Sequence, residues 1–300
     1  PSYSNYGTLG LVQAPNARFL QAGSLAFSWS HNEPYLRGSL IAYPFEWMEA
    51  SYQYTDINNV LYSRIASFSG KQSLKDKGFD IKLRILKESQ FLPQLAVGLR
   101  DLAGTGLFAS EYLVATKRVG GVDATLGIGW GQMGRESNIS NPLIQMSEKF
   151  ASRTDGFGEG GSFQYGSWFA GANASIFGGL EYDIPGTKYR FLLEYDTSNA
   201  ADPTPGTLER LEVKSKFNFG LTRSFGKFLD LKMGYMRGNV LQFAFTLKGD
   251  YANQGMVPKI DKPPNLTTLD SRQKKLVQNK ELLYQSLLRN LRKENIYLQS

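Results

Sequence analysis

The side chains able to do chemistry in this chain are few and unevenly placed. His31 is the only histidine and cysteine is absent. Multi-histidine and thiolate metal sites, disulfides and thiol nucleophiles are thereby excluded, and no metal or cofactor is expected. Ser28 and Ser30 stand close enough to His31 in sequence to raise a serine–histidine nucleophile. Beside Asn32-Glu33-Pro34, a histidine at a turn is the plainer reading. Asp80, Glu111, Glu181 and Glu194 could supply the acid and base of glycoside hydrolysis. They are interspersed with Lys82, Arg84, Arg100, Lys188 and Arg190, and intermixed charges of this kind form ion-pair networks more readily than they form catalytic pairs. Gly127-Ile128-Gly129-Trp130-Gly131 and Gly156-Phe157-Gly158-Glu159-Gly160-Gly161 resemble phosphate loops in composition. The first lies inside an alternating segment and the second in a long connection, so neither joins a strand to a helix as that chemistry requires. The chain reads as a non-enzyme.

The elements that position these charges alternate strictly. In Phe79-Asp80-Ile81-Lys82-Leu83-Arg84-Ile85 one face is apolar and the other is charged, without exception. Lys188 to Tyr195, Val213 to Leu221 and Leu229 to Tyr235 repeat the pattern. Successive strand side chains point to opposite faces, so each segment has one greasy side and one charged side. The spacing predicts twelve strands, at 24–32, 36–43, 47–56, 78–86, 94–101, 107–117, 121–130, 174–182, 188–196, 212–223, 228–237 and 239–249. Connections after even-numbered strands are short, and the long ones (57–77, 131–173, 197–211) all follow odd-numbered strands. That asymmetry, with strands of about ten residues, describes a transmembrane antiparallel β-barrel of an outer membrane, all-β in class, occupying residues 1–260. Both chain termini are expected in the periplasm. Tyr54, Trp130, Tyr195 and Tyr235 at outer strand ends, and Tyr182 at an inner end, fit the interfacial belts. No apolar run is long enough for a membrane helix.

Beyond residue 260 the period changes. Leu276, Leu283, Leu287 and Leu291 recur at helical spacing after the linker Lys262-Pro263-Pro264, predicting a periplasmic amphipathic helix from about 269, capped by Thr268 or Asp270. Residues 261–300 are read as the start of a periplasmic domain, and the chain as a fragment of something longer with its leader removed. The net charge of +7 is concentrated there, since residues 270–300 carry seven Lys/Arg against Asp270, Glu281 and Glu294. No basic stripe with interleaved aromatics accompanies it, so nucleic acid is not an expected partner.

Three stretches closely resemble the YjbH/GfcD family of outer-membrane lipoproteins from exopolysaccharide and capsule operons. They are Gly7-Thr8-Leu9-Gly10-Leu11-Val12-Gln13-Ala14-Pro15-Asn16-Ala17-Arg18, Ser67 to Asp80 preceded by Tyr54-Thr55-Asp56, and Arg100 to Phe108 followed by Ser110-Glu111-Tyr112-Leu113-Val114. Phe177-Gly178-Gly179-Leu180-Glu181-Tyr182 extends the likeness. The resemblance implies a non-enzymatic part in polysaccharide export, with polysaccharide and export proteins as partners besides outer-membrane lipid. The lipidated cysteine such a lipoprotein would carry is missing here.

Combining the two lines, Lys82, Arg84, Arg100, Lys188, Arg190, Lys214 and Lys216 are expected to line the lumen and guide acidic sugars, with Asp80, Glu111 and Glu194 balancing the field. Gly127, Gly129 and Gly131 would make room for packing or for a sugar path. The connection 131–173, with Arg135, Arg153 and Trp168 as candidate contacts, would meet carbohydrate or fold inward as a plug. The alternatives are an anchor for periplasmic docking and a small-solute diffusion channel.

Overall fold

The computed structural model describes residues 1–63, 65–136, 138–153, 165–198, 211–251 and 279–293. The chain divides into two units, Pro1–Gly255 and Met256–Ser300. In the first, twelve long strands form one antiparallel sheet: β1 (Ser24–Asn32), β2 (Tyr35–Phe45), β3 (Met48–Leu61), β4 (Ser73–Leu86), β5 (Gln94–Arg100), β6 (Ser110–Val119), β7 (Val122–Gly131), β9 (Asn173–Asp183), β10 (Tyr189–Tyr195), β11 (Phe217–Phe225), β12 (Leu229–Met236) and β13 (Val240–Asp250). A two-residue strand, β8 (Ile139–Ser140), pairs with β9. Each long strand pairs with its sequence neighbours, and β13 pairs with β1, so the sheet closes on itself. Closure leaves no unpaired edge, which is the condition for a sheet to stand in lipid.

The two faces sort as the alternation requires. Leu40, Phe79, Leu126, Leu180, Phe191, Leu221, Met233 and Phe243 are exposed around the outside, a continuous apolar band. Exposure of that extent on a water-facing surface would be a liability; around a barrel it is the lipid-facing band. Inward positions are polar and buried. β4, for example, turns Asp76, Asp80 and Lys82 inward.

The predicted strands match in number and nearly in position. The exceptions are at strand ends: β3 and β4 run on past the expected limits, and β11 begins at Phe217 rather than 212. A short helix, α1 (Ala66–Ser69), closes the β3–β4 hairpin. In the second unit, α2 (Lys280–Lys293) is capped by the Asn279 side chain, which accepts from the Glu281 and Leu282 amides. Leu283 and Leu287 are exposed along it. The linker at 262–264, the expected cap at 268–270 and Leu276 lie outside the described residues, as do the 156–161 glycines.

The glycine row of β7 is a packing device. Gly127 lies opposite Phe177, and a Cβ at Gly127 would stand 2.2 Å from the Phe177 ring. Gly129 makes the same room for Met133, and Gly131 (φ +63°) for Arg153. Overfilling a packed position costs about 1–3 kcal/mol. Gly127→Ala is therefore expected to lower the barrel's unfolding free energy by that order, read as a lower urea midpoint, with Phe177→Leu recovering part of the loss in the double variant. An unchanged midpoint in Gly127→Ala would contradict this packing.

Candidate functional site

The lumen is filled, and the filling is the chain's own residues 2–17. This stretch is almost wholly buried yet belongs to none of the strands. It folds as two small turns inside the barrel. The Ser4 amide donates to the Thr8 carbonyl (2.8 Å) and that of Leu11 to Ala14 (2.8 Å), while isolated bridges join Tyr3 to Leu9 and Gly10 to Pro15. Gly7 takes φ +86° with its α-carbon pressed on the wall, where a Cβ would lie 2.3 Å from that of Ser39.

Such a segment cannot satisfy its own backbone, and a buried amide or carbonyl without a partner is costly. The wall supplies the partners. Lys82 and Glu49, an ion pair at 3.0 Å with both side chains fully buried, hold both backbone groups of Leu9. Glu49 accepts from its amide at 3.2 Å and Lys82 donates to its carbonyl at 3.4 Å. Lys232 spends its three donors on the carbonyls of Tyr3 (2.6 Å), Leu11 and Val12 (both 3.4 Å). Glu194 accepts from the amides of Gln13 and Ala14, both at 2.8 Å, and from Asn218. Ser30 donates to Asn5, Ser39 and Gln53 to Tyr6, and Arg100 to Gln13, each at a carbonyl. Glu181 accepts from the Ser2 amide and Thr116 from that of Ala17. At the end of the segment Arg18 forks onto Asp123 (2.7 and 3.2 Å) and reaches Glu88 at 2.5 Å. Apolar contacts complete the fit, with Leu11 and Val12 against Leu192 and Met236, and Tyr6 edge-on to Phe108.

The sequence-predicted site residues divide accordingly. Asp80, Lys82, Arg84, Arg100, Arg190 and Glu194 do face inward. Asp80 accepts from the Asp101 amide (2.9 Å), Arg84 lies 3.7 Å from Glu46, and Arg190 bonds Ser224 and Ser2 amid Glu181, Asp183 and Asp230. Lys188 is exposed at a strand end. Three placements need correcting. Glu111 has the parity of Leu113, so it faces outward and is buried only because the 131–173 connection covers it. Arg153 grips it with two bonds (2.6 and 2.9 Å) and the Phe169 amide adds a third. Trp130 likewise lies outward but is 3% exposed, its indole N–H bonded to Asn141 and its ring edge-on to Phe169. Lys214 and Lys216 precede β11 and are exposed, pairing with Glu212 and Glu136 rather than lining the lumen. The connection thus clamps the outer rim with Arg153 while Trp168 stays half-buried, and its first turn, Gln132–Gly134 before Arg135, tucks Met133 among Ala14, Ala17 and Phe177.

The hydrolytic readings meet the same geometry. Strand parity turns Ser28 and Ser30 inward, onto Thr246 and Asn5, and His31 outward, 3.2 Å from Glu33. Glu111, Glu181 and Glu194 each hold amide or arginine donors, as Asp80 holds an amide. Among the described residues no group of three or more metal-ligating side chains converges.

The sequence reading missed residues 2–17, though a signal was there: from 1 to 17 the chain has no Asp, Glu, Lys or Arg. A neutral stretch rich in small residues complements a charged wall.

Fold and lumen together define a closed, twelve-stranded barrel of the outer-membrane type, plugged by its own chain. The chain belongs to the YjbH family, whose description reads "Exopolysaccharide biosynthesis protein YbjH", with residues 2–300 matched. It is 42% identical over 251 residues to the "Uncharacterized lipoprotein YjbH" of Escherichia coli K12, covering 84% of this chain and 35% of that protein. The chain therefore spans about a third of that relative's length. Solved structures similar to it include the KdgM porin (TM-score 0.39, 9% identity, 75% of this chain and 97% of that one) and the NanC porin (TM-score 0.36, 9% identity, with the same coverages).

Asp101, just past β5, holds the inward-folded loop 101–109 by accepting from the Phe108 amide at 3.1 Å. Burial, and then the charge of Asp76, raise its carboxyl from 3.8 to about 8. The folded protein thus binds a proton that the unfolded chain releases near pH 4, so stability falls as pH rises from about 4 to about 8. Asp101→Asn, which keeps the acceptor and tolerates the left-handed backbone at φ 56°, is expected to flatten that decline in a pH series of denaturation midpoints. A slope identical to the parent's would contradict the assignment.

Proposed function

We propose that the barrel serves the export or assembly of an extracellular polysaccharide as an outer-membrane scaffold rather than as an open conduit. Family membership supports the polysaccharide. The observation that carries the scaffold is the filled lumen, in which Lys82 and Arg100, side chains that would guide an acidic sugar, and Glu194, which would balance their charge, already hold the backbone of residues 2–17. In this reading the short-turn end faces the periplasm, as does α2, and export proteins dock there. No catalysis is assigned to it.

One observation favours a second reading. Most of the plug's polar contacts with the wall run through backbone groups, which any chain of similar polarity presents, so withdrawal of residues 2–17 would bare a charged lumen for acidic sugars or small solutes. Val12 and Leu192 meet over Gly220, where both pack on the position of a missing Cβ. Because the chain has no cysteine, a Val12→Cys, Leu192→Cys pair would pin the plug to the wall. The scaffold predicts that cells with the pinned protein secrete polysaccharide at the level of the parent, with or without a reductant. Secretion lost on pinning and restored by reductant would establish the gated conduit instead.

A further inference from the structure

Most wall side chains meet the plug or one another, but one cluster is short of acceptors. Where β13, β1 and β2 end at the long-connection side, four buried N–H donors lack a partner among the described residues, Nε of Arg37, Nε of Arg237, Nδ2 of Asn32 and Nε2 of Gln242, against a single unpaired acceptor, Oε1 of Gln242. They belong to one place. Asn32 is the cross-strand partner of Gln242, and Arg37 donates to its Oδ1 at 3.4 Å. Arg237 bonds the carbonyl of Glu33, the residue after Asn32. All four are at most 4% exposed. Gly234 leaves the room that the Gln242 amide occupies.

Charge makes the deficit sharper. Among the described residues neither guanidinium has a carboxylate oxygen within 4.0 Å, and Asp76 and Asp196 act on them only from farther off. Arg37 lies over the rings of Tyr6 (4.5 Å) and Tyr35 (4.3 Å), which offset part of its charge but leave Nε unused. Arg100 stacks on the same Tyr6 at 3.8 Å, adding a third cation. Buried charges are ordinarily paired. This cluster has donors and positive charge in excess, and the complement of that is an oxyanion.

We propose that Arg37, Arg237, Asn32 and Gln242 form a binding site for a carboxylate or similar oxyanion, borne by an acidic sugar residue or free in solution. β1–β2 and β12–β13 are joined by tight turns at this end of the barrel. The site is independent of the scaffold reading, since it lies beside the plug and needs no movement of residues 2–17.

The test is thermal denaturation of the purified chain in detergent, titrated with sodium glucuronate, glucose or sodium phosphate against a chloride background. Glucuronate is expected to raise the midpoint in a saturable way and glucose to leave it unchanged; an equal response to phosphate identifies a general oxyanion site. Arg237→Gln should weaken the response at least tenfold. Asn32→Asp places a carboxylate beside Arg37, so it should raise the midpoint without ligand and abolish the response. A midpoint indifferent to both anions, or an Asn32→Asp variant that is less stable and still responsive, would overturn the site.

Discussion

Bringing a non-helical segment into a barrel sets one constraint above the rest: each of its amides and carbonyls must meet a partner where water is scarce. Within residues 2–17 the two turns pair only some of these groups. Many of the others are met by wall side chains, several of them charged, and hydrogen bonds to charged groups are worth about 1.5–3 kcal/mol against about 0.5–1.5 for neutral ones. That explains why ionisable side chains sit deep in a membrane barrel. Lys82, Lys232, Glu49 and Glu194 are fixed in position by the backbone they hold. Removing any of them would orphan peptide groups as well as a charge.

Much of this was legible in the sequence. The alternation of Phe79 to Ile85 identifies both faces of β4, and the short–long order of connections gives the antiparallel ring its sense. These signals are local, because the period of two is imposed by the pleat and one-sided burial. The filling of the lumen was not legible in that way. Residues 2–17 have no period, being neither strand nor helix, and their fit depends on partners more than a hundred positions away, such as Glu181, Glu194 and Lys232. Glu111 and Trp130 misled for a related reason: both obey strand parity, and it is the fold-back of a distant loop that buries them. Lys214 and Lys216 alternate as a strand would, yet the ladder starts only at Phe217, where the backbone meets β10.

The placement of charge separates two ends with different tasks. At the short-turn end, Arg18, Asp123, Glu88 and Arg118 tie the plug's exit to the wall. At the other end, Arg37 and Arg237 gather beneath tight turns, with no carboxylate oxygen within 4.0 Å of them among the described residues. The first arrangement suits permanent closure; the second suits capture of an anion from outside the barrel. A scaffold that keeps its lumen shut while binding at its rim is consistent with both, and does not require the wall charges to conduct anything.

The central claim is that residues 2–17 close the lumen. Ion conductance in a planar bilayer addresses it most directly, comparing the intact chain with one lacking 2–17, each first shown to migrate as a folded, heat-modifiable barrel. The account predicts silence from the intact protein and steady conductance from the deletion. Steady conductance of equal size from both would mean that the segment does not seal the barrel, and the reading of its wall as a backbone clamp would fail.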